Sequence, residues 1–217
     1  MEYRINGKAI KSEYAAKSNK QQNKEVMGWI KDISKEKKIL DYGCGKLRYT
    51  IPLSSQARCV YAIDSREQIK RIQTINNIRG TNIMDYATTY LHNVKIHELA
   101  SNEWKEQKYD YVLCSNVLSA IPIYSERINV FHNIKKVLED EGEALISTQY
   151  SNSYFRMYAD RRECIKHYDG WIINNKGKFS FYGIVSLKKL IYYARLTSLN
   201  VVRGYVKDGS AYLIVKK

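Results

Sequence analysis

The chain of 217 residues is long enough for one domain with a full hydrophobic core, and its 44% hydrophobic residues are ordinary for a globular protein. No apolar run approaches the roughly 20 residues that cross a bilayer, and the N-terminus lacks the apolar segment of a signal peptide, which argues against a membrane protein and for the cytoplasm. The formal net charge of +14 favours a nucleic acid or another polyanion as partner, with a merely solvated basic surface as the alternative.

The cysteine pattern argues against a disulfide framework and against a zinc site. No pair of cysteines has CxxC spacing, and no histidine lies at metal-ligand spacing from any of them: Cys44, Cys59, Cys114 and Cys164. We therefore expect reduced thiols and no bound metal.

The first predicted elements are a helix, a strand and a turn. Apolar residues at helical spacing predict a helix from about Ser12 to Ile33, within an N-terminal helical cap of residues 1–36. A strand follows at Lys38–Leu40 and ends at Asp41. After a glycine-containing loop, a short helix is predicted from Lys46 to about Pro52.

The second strand and the helix after it carry the next acidic residue. Cys59–Ile63 predicts a strand that ends at Asp64, and Ser65 is a suitable cap for the following helix. That helix is predicted to continue to Gly80, because isoleucines recur at every third position: Ile69, Ile72, Ile75 and Ile78.

The middle of the chain alternates helix and strand again. Residues 83–91 predict a helix and 94–97 a third strand, and 111–114 predicts a fourth strand. A helix with one apolar face is predicted to end at Gly142, and 144–147 predicts the fifth strand. This alternation is typical of an α/β fold with a parallel sheet covered on both faces.

The C-terminal third begins with a less regular basic and aromatic stretch, Tyr150–Phe181. A last helix is predicted from about Ser186, and then two strands, 201–206 and 211–215. Asp208-Gly209 between these strands is a strong hairpin signal. Five strand–helix units followed by an antiparallel hairpin are not typical of an NAD-binding Rossmann domain.

The turn after the first strand is the main functional signal. Strand, tight glycine turn and helix let the backbone approach a nucleotide-like ligand closely, here at Gly43 and Gly45. The carboxylate of Asp41 would repel a pyrophosphate, whereas it suits the sulfonium and ammonium groups of S-adenosylmethionine. The alternative is that the glycines form an ordinary turn and that Asp64 caps a helix.

The segment Ile39–Gly45 resembles the first motif of class I S-adenosylmethionine-dependent methyltransferases, acid-x-Gly-x-Gly-x-Gly, with Leu47 in place of the third glycine. Segments 60–65, 109–118 and 137–146 resemble later parts of the same family in the right order. The resemblance implies a three-layer sandwich with a seven-stranded, mostly parallel sheet, its last strand antiparallel and helices on both faces.

The same resemblance implies which residues bind the cofactor S-adenosylmethionine. Gly43 and Gly45 would line the methionine part, Asp64 would bind the ribose, and Ser115 would lie under the sulfonium, with adenine near Ala100 or Ser101. The full set of implied cofactor residues is Asp41, Tyr42, Gly43, Cys44, Gly45, Asp64, Ser65, Ser115 and Asn116.

The methyl acceptor is less well indicated. Ser115–Leu118 lacks the Pro-Pro pair of adenine amino-methyltransferases, and no Pro-Cys nucleophile of cytosine-C5 enzymes is present, so no catalytic residue is assigned. Cations and aromatics interleave after the fifth strand and predict acceptor contacts from Tyr150, Arg161 and Arg162, although such aromatics often pack in a core. His97 and His167 are candidate proton acceptors, while a lone histidine is more often structural.

Three functions remain open on the sequence alone: a nucleic-acid methyltransferase, slightly favoured by the charge, a small-molecule methyltransferase, and a non-catalytic cofactor-binding protein. Two short segments, 116–122 and 176–179, also resemble methyltransferases associated with DNA phosphorothioation systems. One domain of residues 1–217 is expected, with a cofactor-binding half at 37–148 and a substrate-side segment at 149–217. No particular oligomeric state is predicted.

Overall fold

The computed structural model describes residues 1–16, 21–150 and 163–217, so Arg161 and Arg162 lie outside the described residues. The chain divides into two compact units. The first unit comprises Met1–Ala15, Cys114–Lys136 and Ala144–Lys217, and the second unit comprises Ala16–Leu113 and Val137–Glu143. The expected boundaries near residues 36 and 148 stay a prediction.

The helices in chain order are α1 (Lys24–Lys31), α2 (Thr50–Gln56), α3 (Arg66–Lys70), α4 (Ile83–Tyr90), α5 (Tyr124–Val137) and α6 (Leu187–Leu196). The strands are β1 (Glu2–Ile5), β2 (Lys8–Lys11), β3 (Lys38–Tyr42), β4 (Cys59–Asp64), β5 (Gln73–Ile75), β6 (Ile78–Thr81), β7 (Val94–Glu98), β8 (Tyr109–Ser115), β9 (Leu138–Gln149), β10 (Cys164–His167), β11 (Gly170–Asn175), β12 (Lys178–Gly183), β13 (Asn200–Lys207) and β14 (Ser210–Lys216). None of the described helices is long and apolar enough to cross a membrane.

The main sheet has seven strands in the order β13-β14-β9-β8-β3-β4-β7. Strand β3 pairs in parallel with β4 and β8, and β4 pairs in parallel with β7. The last two strands, β13 and β14, pair antiparallel across Asp208 and Gly209, which have φ angles of 49° and 69°. The predicted α/β fold with a mostly parallel seven-stranded sheet and an antiparallel last strand is therefore confirmed.

The predicted N-terminal helical cap is wrong for most of its length. Residues 2–11 form the β1–β2 hairpin, and α1 covers only Lys24–Lys31. The hairpin turns at Asn6-Gly7, with φ angles of 48° and 73°, and Asn-Gly is a favoured pair for such a turn. Helix α1 begins where Asn23 Oδ1 accepts hydrogen bonds from two backbone N–H groups at 2.9 and 3.2 Å.

The long helix predicted from Ser65 to Gly80 is also wrong. Helix α3 ends at Lys70, and the chain then forms the β5–β6 hairpin, with Asn76 and Asn77 at φ angles of 43° and 71°. Isoleucines at every third position do not share one helical face, because three residues fall about 60° short of a full turn. Ile72 is accordingly 65% exposed.

Helix α2 was predicted four residues too early: it begins at Thr50 and continues past Pro52, which lies in its first turn, where a missing N–H costs no helical hydrogen bond. The remaining predicted elements lie close to their expected positions. Helix α4 and strand β7 are confirmed, and α6 begins after Ser186, whose Oγ accepts from the Lys189 N–H at 3.4 Å. Helix α5 ends at Val137 rather than Gly142, because β9 begins at Leu138, before the predicted fifth strand.

In the first unit, a second sheet contains most of the described part of the stretch that was predicted to be irregular, residues 163–181. Its order is β1-β2-β12-β11-β10, so the N-terminal hairpin and the β10–β12 meander form one five-stranded sheet. Trp171 lies opposite Tyr182 across β11 and β12, and Phe179 joins the hairpin opposite Ile10. The alternating aromatic pattern of this segment therefore belongs to strands.

Candidate cofactor site

The glycine turn follows β3 and is held against the end of β4 in the second unit. The N–H groups of Gly43 and Cys44 both donate to the Ile63 carbonyl, at 2.9 and 3.0 Å. Gly43 and Gly45 have φ angles of 77° and 58°, a region that favours glycine. A Cβ atom added at Gly45 would meet nothing within 4 Å, so open space adjoins the turn at this residue.

Asp64 connects the end of β4 to this turn. Its Oδ2 accepts a hydrogen bond from the Gly45 N–H at 2.8 Å, and its Oδ1 accepts from the Ser65 N–H at 2.7 Å. An ionised carboxylate accepts up to about four hydrogen bonds, so each oxygen of Asp64 can accept more than one. The helix cap is Ser65 itself, whose Oγ accepts from the Gln68 N–H at 3.3 Å.

Asp41 is buried beneath the turn, with 3% of its surface exposed. Burial raises the pKa of Asp41 to about 7; the hydrogen bond from Thr50 opposes this shift, and the charge of Asp64 adds to it. Thr50 Oγ1 donates to Asp41 Oδ2 at 2.6 Å, a contact that the sequence pattern did not indicate. The expected carboxylate is present, and near neutral pH it is only partly ionised.

The pH dependence of cofactor affinity should report the titration of Asp41. The pKa of Asp41 in the folded protein, about 7, lies above the ordinary value of 3.8. Its contribution to fold stability is therefore fully present below pH 3.8 and is lost as the pH rises through about 7. A cationic cofactor favours the ionised form, so its Kd should fall by up to about tenfold between pH 6 and 8. Isothermal calorimetry with S-adenosylmethionine measures this change.

Asp41→Asn is the matched control, because the amide oxygen still accepts from Thr50 but carries no charge. It should bind S-adenosylmethionine more weakly at pH 8 and lose this part of the pH dependence. Equal pH dependence in the two proteins would contradict a role for the Asp41 charge.

The side chains of Tyr42 and Cys44 pack inside the second unit. Tyr42 is 3% exposed and meets Trp104 edge to face, with ring centroids 5.6 Å apart. Burial raises the pKa of the Cys44 thiol, and the neighbouring carboxylates raise it further, so the thiol stays protonated at neutral pH. Any contact of these two residues with a ligand at the turn would therefore use their backbone.

The end of β7 adds a third strand end to the site. The Leu99 N–H donates to the Asp64 carbonyl at 2.7 Å, so the segment predicted to contact adenine adjoins the acidic residue. Ser101 Oγ is buried and has no hydrogen-bond partner among the described residues. A buried hydroxyl of this kind fits a ligand with polar edges.

The two candidate proton acceptors lie in different units. In the second unit, His97 stacks on Tyr61 with ring centroids 5.4 Å apart, and its Nδ1 is 2.6 Å from Glu103 Oε2. In the first unit, His167 packs against Tyr168 and Phe181. Both therefore have structural contacts.

Ser115 and Asn116 belong to the first unit, where they form a hydrogen-bonded cluster at the ends of β8 and β9. Ser147 Oγ donates to Ser115 Oγ at 2.9 Å, and the Gln149 N–H donates to Asn116 Oδ1 at 3.0 Å. Asn116 has a φ angle of 60°, and its N–H donates to the Ser147 carbonyl at 2.8 Å. That Ser115 lies under a sulfonium stays a prediction.

Tyr182, which no sequence motif indicates, extends this cluster. Tyr182 donates from its hydroxyl to Gln149 Oε1 at 3.0 Å, which joins β12 to the end of β9. Tyr150, a predicted acceptor contact, is half-buried, and its N–H donates to the Gly209 carbonyl at 3.1 Å. Its role at the acceptor stays a prediction.

The residues of the second unit fit S-adenosylmethionine. Asp64 supplies paired acceptors for ribose hydroxyls, the positive-φ glycines supply a turn with open space at Gly45, and Ser101 supplies a buried polar group. Two carboxylates, Asp41 and Asp64, lie at the turn and suit a cationic ligand.

Comparison with known proteins gives consistent results. A family model described as a methyltransferase domain matches residues 15–194. The Escherichia coli (strain K12) protein YmfD is 35% identical over 215 residues, or 99% of this chain and 96% of YmfD. The PH0226 protein from Pyrococcus horikoshii OT3 has a TM-score of 0.70 at 15% identity, covering 93% of this chain and 94% of its own.

A second solved structure is similar in fold. It is a SAM-dependent methyltransferase from Methanosarcina mazei, with a TM-score of 0.64 at 17% identity, covering 91% of this chain and 98% of its own. The matched family region contains the Gly43–Gly45 turn, Asp64 and Ser115.

Proposed function

We propose that this chain, which belongs to the methyltransferase-domain family, transfers a methyl group from S-adenosylmethionine to a polyanion, with nucleic acid as the favoured class. The bound cofactor supplies an electrophilic methyl group on a sulfonium. Transfer from it is a direct displacement, so alignment of the acceptor contributes much of the rate. The chain's own residues therefore act mainly by binding and orienting.

Each residue of the turn has a role in holding the cofactor. Asp64 accepts hydrogen bonds from the ribose hydroxyls while the N–H groups of Gly45 and Ser65 fix its orientation. The buried carboxylate of Asp41 stabilises positive charge at the turn in its ionised form. The glycines allow the backbone to approach the methionine part closely.

The single observation that carries the acceptor proposal is the distribution of charge between the two units. The sequence ranges of the first unit contain 19 Lys and Arg against 7 Asp and Glu. Those of the second unit, which contains the cofactor turn, hold 17 against 15. A general enrichment in lysine would charge both units alike, so the segregation supports a polyanionic partner for the first unit.

The β10–β12 meander of the first unit carries cations and aromatic rings that could bind a nucleic acid. Lys166 Nζ lies 4.2 Å from the ring centroid of Trp171, which is paired across the strands with Tyr182. Lys178 is exposed and is opposite Asn175, which is on the same face of β11 as Trp171. Cations interleaved with aromatic rings contact phosphates and stack bases.

The weaker likeness to DNA phosphorothioation methyltransferases stays a hypothesis.

The test is the salt dependence of binding to single-stranded DNA and RNA oligonucleotides. Each neutralised phosphate contributes about −0.7 to the slope of log affinity against log salt. The double variant Lys166→Ala/Lys178→Ala should therefore flatten the slope by about one to two units. The control Lys31→Ala/Lys35→Ala removes two exposed lysines from the second unit and should leave the slope unchanged.

Cofactor affinity should be equal in wild type and both double variants, which separates the acceptor surface from the turn. Equal, weak slopes in all three proteins would overturn the nucleic-acid proposal in favour of a small-molecule acceptor. Binding of the cofactor with no methyl transfer to any acceptor would instead favour the non-catalytic function.

A further inference from the structure

Gln68 is a fully buried polar residue whose side chain reaches back to the cofactor turn. It lies on α3, is 0% exposed, and donates from Nε2 to the Gly45 carbonyl at 2.6 Å. The Gly45 N–H is held by Asp64 Oδ2 at 2.8 Å. The two peptide groups that flank the Gly45 Cα are therefore both fixed by side chains.

The orientation of the Gln68 amide follows from its partners. Turning it over would place its oxygen against the Gly45 carbonyl oxygen, so only the observed orientation makes the bond. Nε2 also approaches Gln73 Oε1 at 3.4 Å, which orients the amide of Gln73 on β5.

Fold stability does not account for this arrangement. Gln68 Oε1 and Gln73 Nε2 are buried without a hydrogen-bond partner among the described residues. A buried polar atom without a partner costs free energy that an apolar side chain of similar length avoids. The neighbouring Ile69 and Ile75 show that apolar side chains are buried in this segment.

We propose that Gln68 is a positioning residue for the cofactor: by fixing the Gly45 carbonyl, it holds Gly45 at its positive φ, so that the Gly45 N–H already points to Asp64 before the cofactor binds. Without the bond, the turn would have to be ordered on binding, and that entropy would be lost from the affinity. This inference rests on the binding of S-adenosylmethionine at the Gly43–Gly45 turn.

The test compares Gln68→Met with Gln73→Met by isothermal calorimetry with S-adenosylhomocysteine and by the thermal midpoint of the ligand-free protein. Gln68→Met removes the donor to Gly45 and should raise the Kd about three- to tenfold, the range for one hydrogen bond. Its thermal midpoint should not fall, because the variant also removes an unpartnered oxygen. Gln73→Met keeps the bond to Gly45 and should keep the wild-type Kd.

A second variant covers the case in which Gln68→Met does not fold. Gln68→Leu also has no donor for the Gly45 carbonyl and buries no ionisable group, so it should show the same rise in Kd. Wild-type affinity in either folded variant, or an equal loss in Gln73→Met, would overturn the inference. If wild type itself does not bind S-adenosylhomocysteine, the cofactor assignment fails first.

Discussion

Asp64→Ala should raise the Kd for S-adenosylmethionine by at least a hundredfold. The carboxylate is expected to accept from both ribose hydroxyls, and each such charge-assisted bond is worth about 1.5–3 kcal/mol. Two bonds therefore amount to about 3 kcal/mol or more, and each 1.4 kcal/mol is about tenfold in Kd. The variant also leaves the Gly45 N–H without its Asp64 partner, which adds to the loss.

The measurement is calorimetry with S-adenosylmethionine on protein whose folding is verified by circular dichroism. Asp85→Asn is the control, because it removes the charge of another acid in the second unit, on the exposed start of α4. Unchanged cofactor affinity in folded Asp64→Ala would contradict the proposal that Asp64 binds the ribose hydroxyls.

Arg127→Met should destabilise the fold by about 3 kcal/mol, because it leaves a carboxylate without its buried partner. Arg127 is 3% exposed and binds Asp169 through both terminal nitrogens, at 2.6 and 2.9 Å. Its Nε also donates to the Ile121 carbonyl at 2.8 Å. For a chain of this size the thermal midpoint should fall by about 6–12 °C.

The pH dependence gives this prediction a second readout. Burial tends to raise the pKa of Asp169, but the hydrogen bonds and charges of Arg127 and Lys189 hold this pKa below its ordinary value. A lowered folded pKa gives stability that is present above the unfolded value and is lost as pH falls. In urea denaturation series at different pH values, the free energy of unfolding of Arg127→Met should therefore fall less at acid pH than that of wild type.

Lys189→Met is the matched control for Arg127→Met. Lys189 also contacts Asp169, at 2.7 Å, but its side chain is 41% exposed, so its loss should cost less than about 1 kcal/mol. A similar midpoint for Arg127→Met and wild type would contradict the importance of the buried pair.

The sequence predicted the parts of the fold and site that depend on local patterns. Asp64 ends β4 as predicted, and Asp41 lies one residue before the end of β3, because acid, glycine turn and helix follow one another along the chain. The closing hairpin was predicted because Asp208-Gly209 is a turn signal in itself. By contrast, Asn76-Asn77 lies within apparent helical spacing and Asn6-Gly7 lies within the predicted helical cap, although both pairs favour such turns.

The parts that could not be predicted depend on which distant residues the fold brings together. Gln68 meets Gly45 across 23 positions, and Tyr182 meets Gln149 across 33. Neither pair carries a motif, because a glutamine or tyrosine at these positions is also compatible with an exposed surface. The total net charge likewise does not show that most of the excess positive charge lies in the first unit rather than in the second unit, which contains the cofactor turn.

The most direct test of the account is a thermal-shift titration of wild type with S-adenosylhomocysteine, with NAD as the competing ligand class. At a ligand concentration one hundred times Kd, linkage predicts about 2.7 kcal/mol of added stability, which raises the midpoint by about 5–10 °C. NAD should leave the midpoint unchanged, because the glycine turn that would hold its pyrophosphate lies beside the carboxylate of Asp41. A shift with NAD and none with S-adenosylhomocysteine would contradict the assignment of the turn.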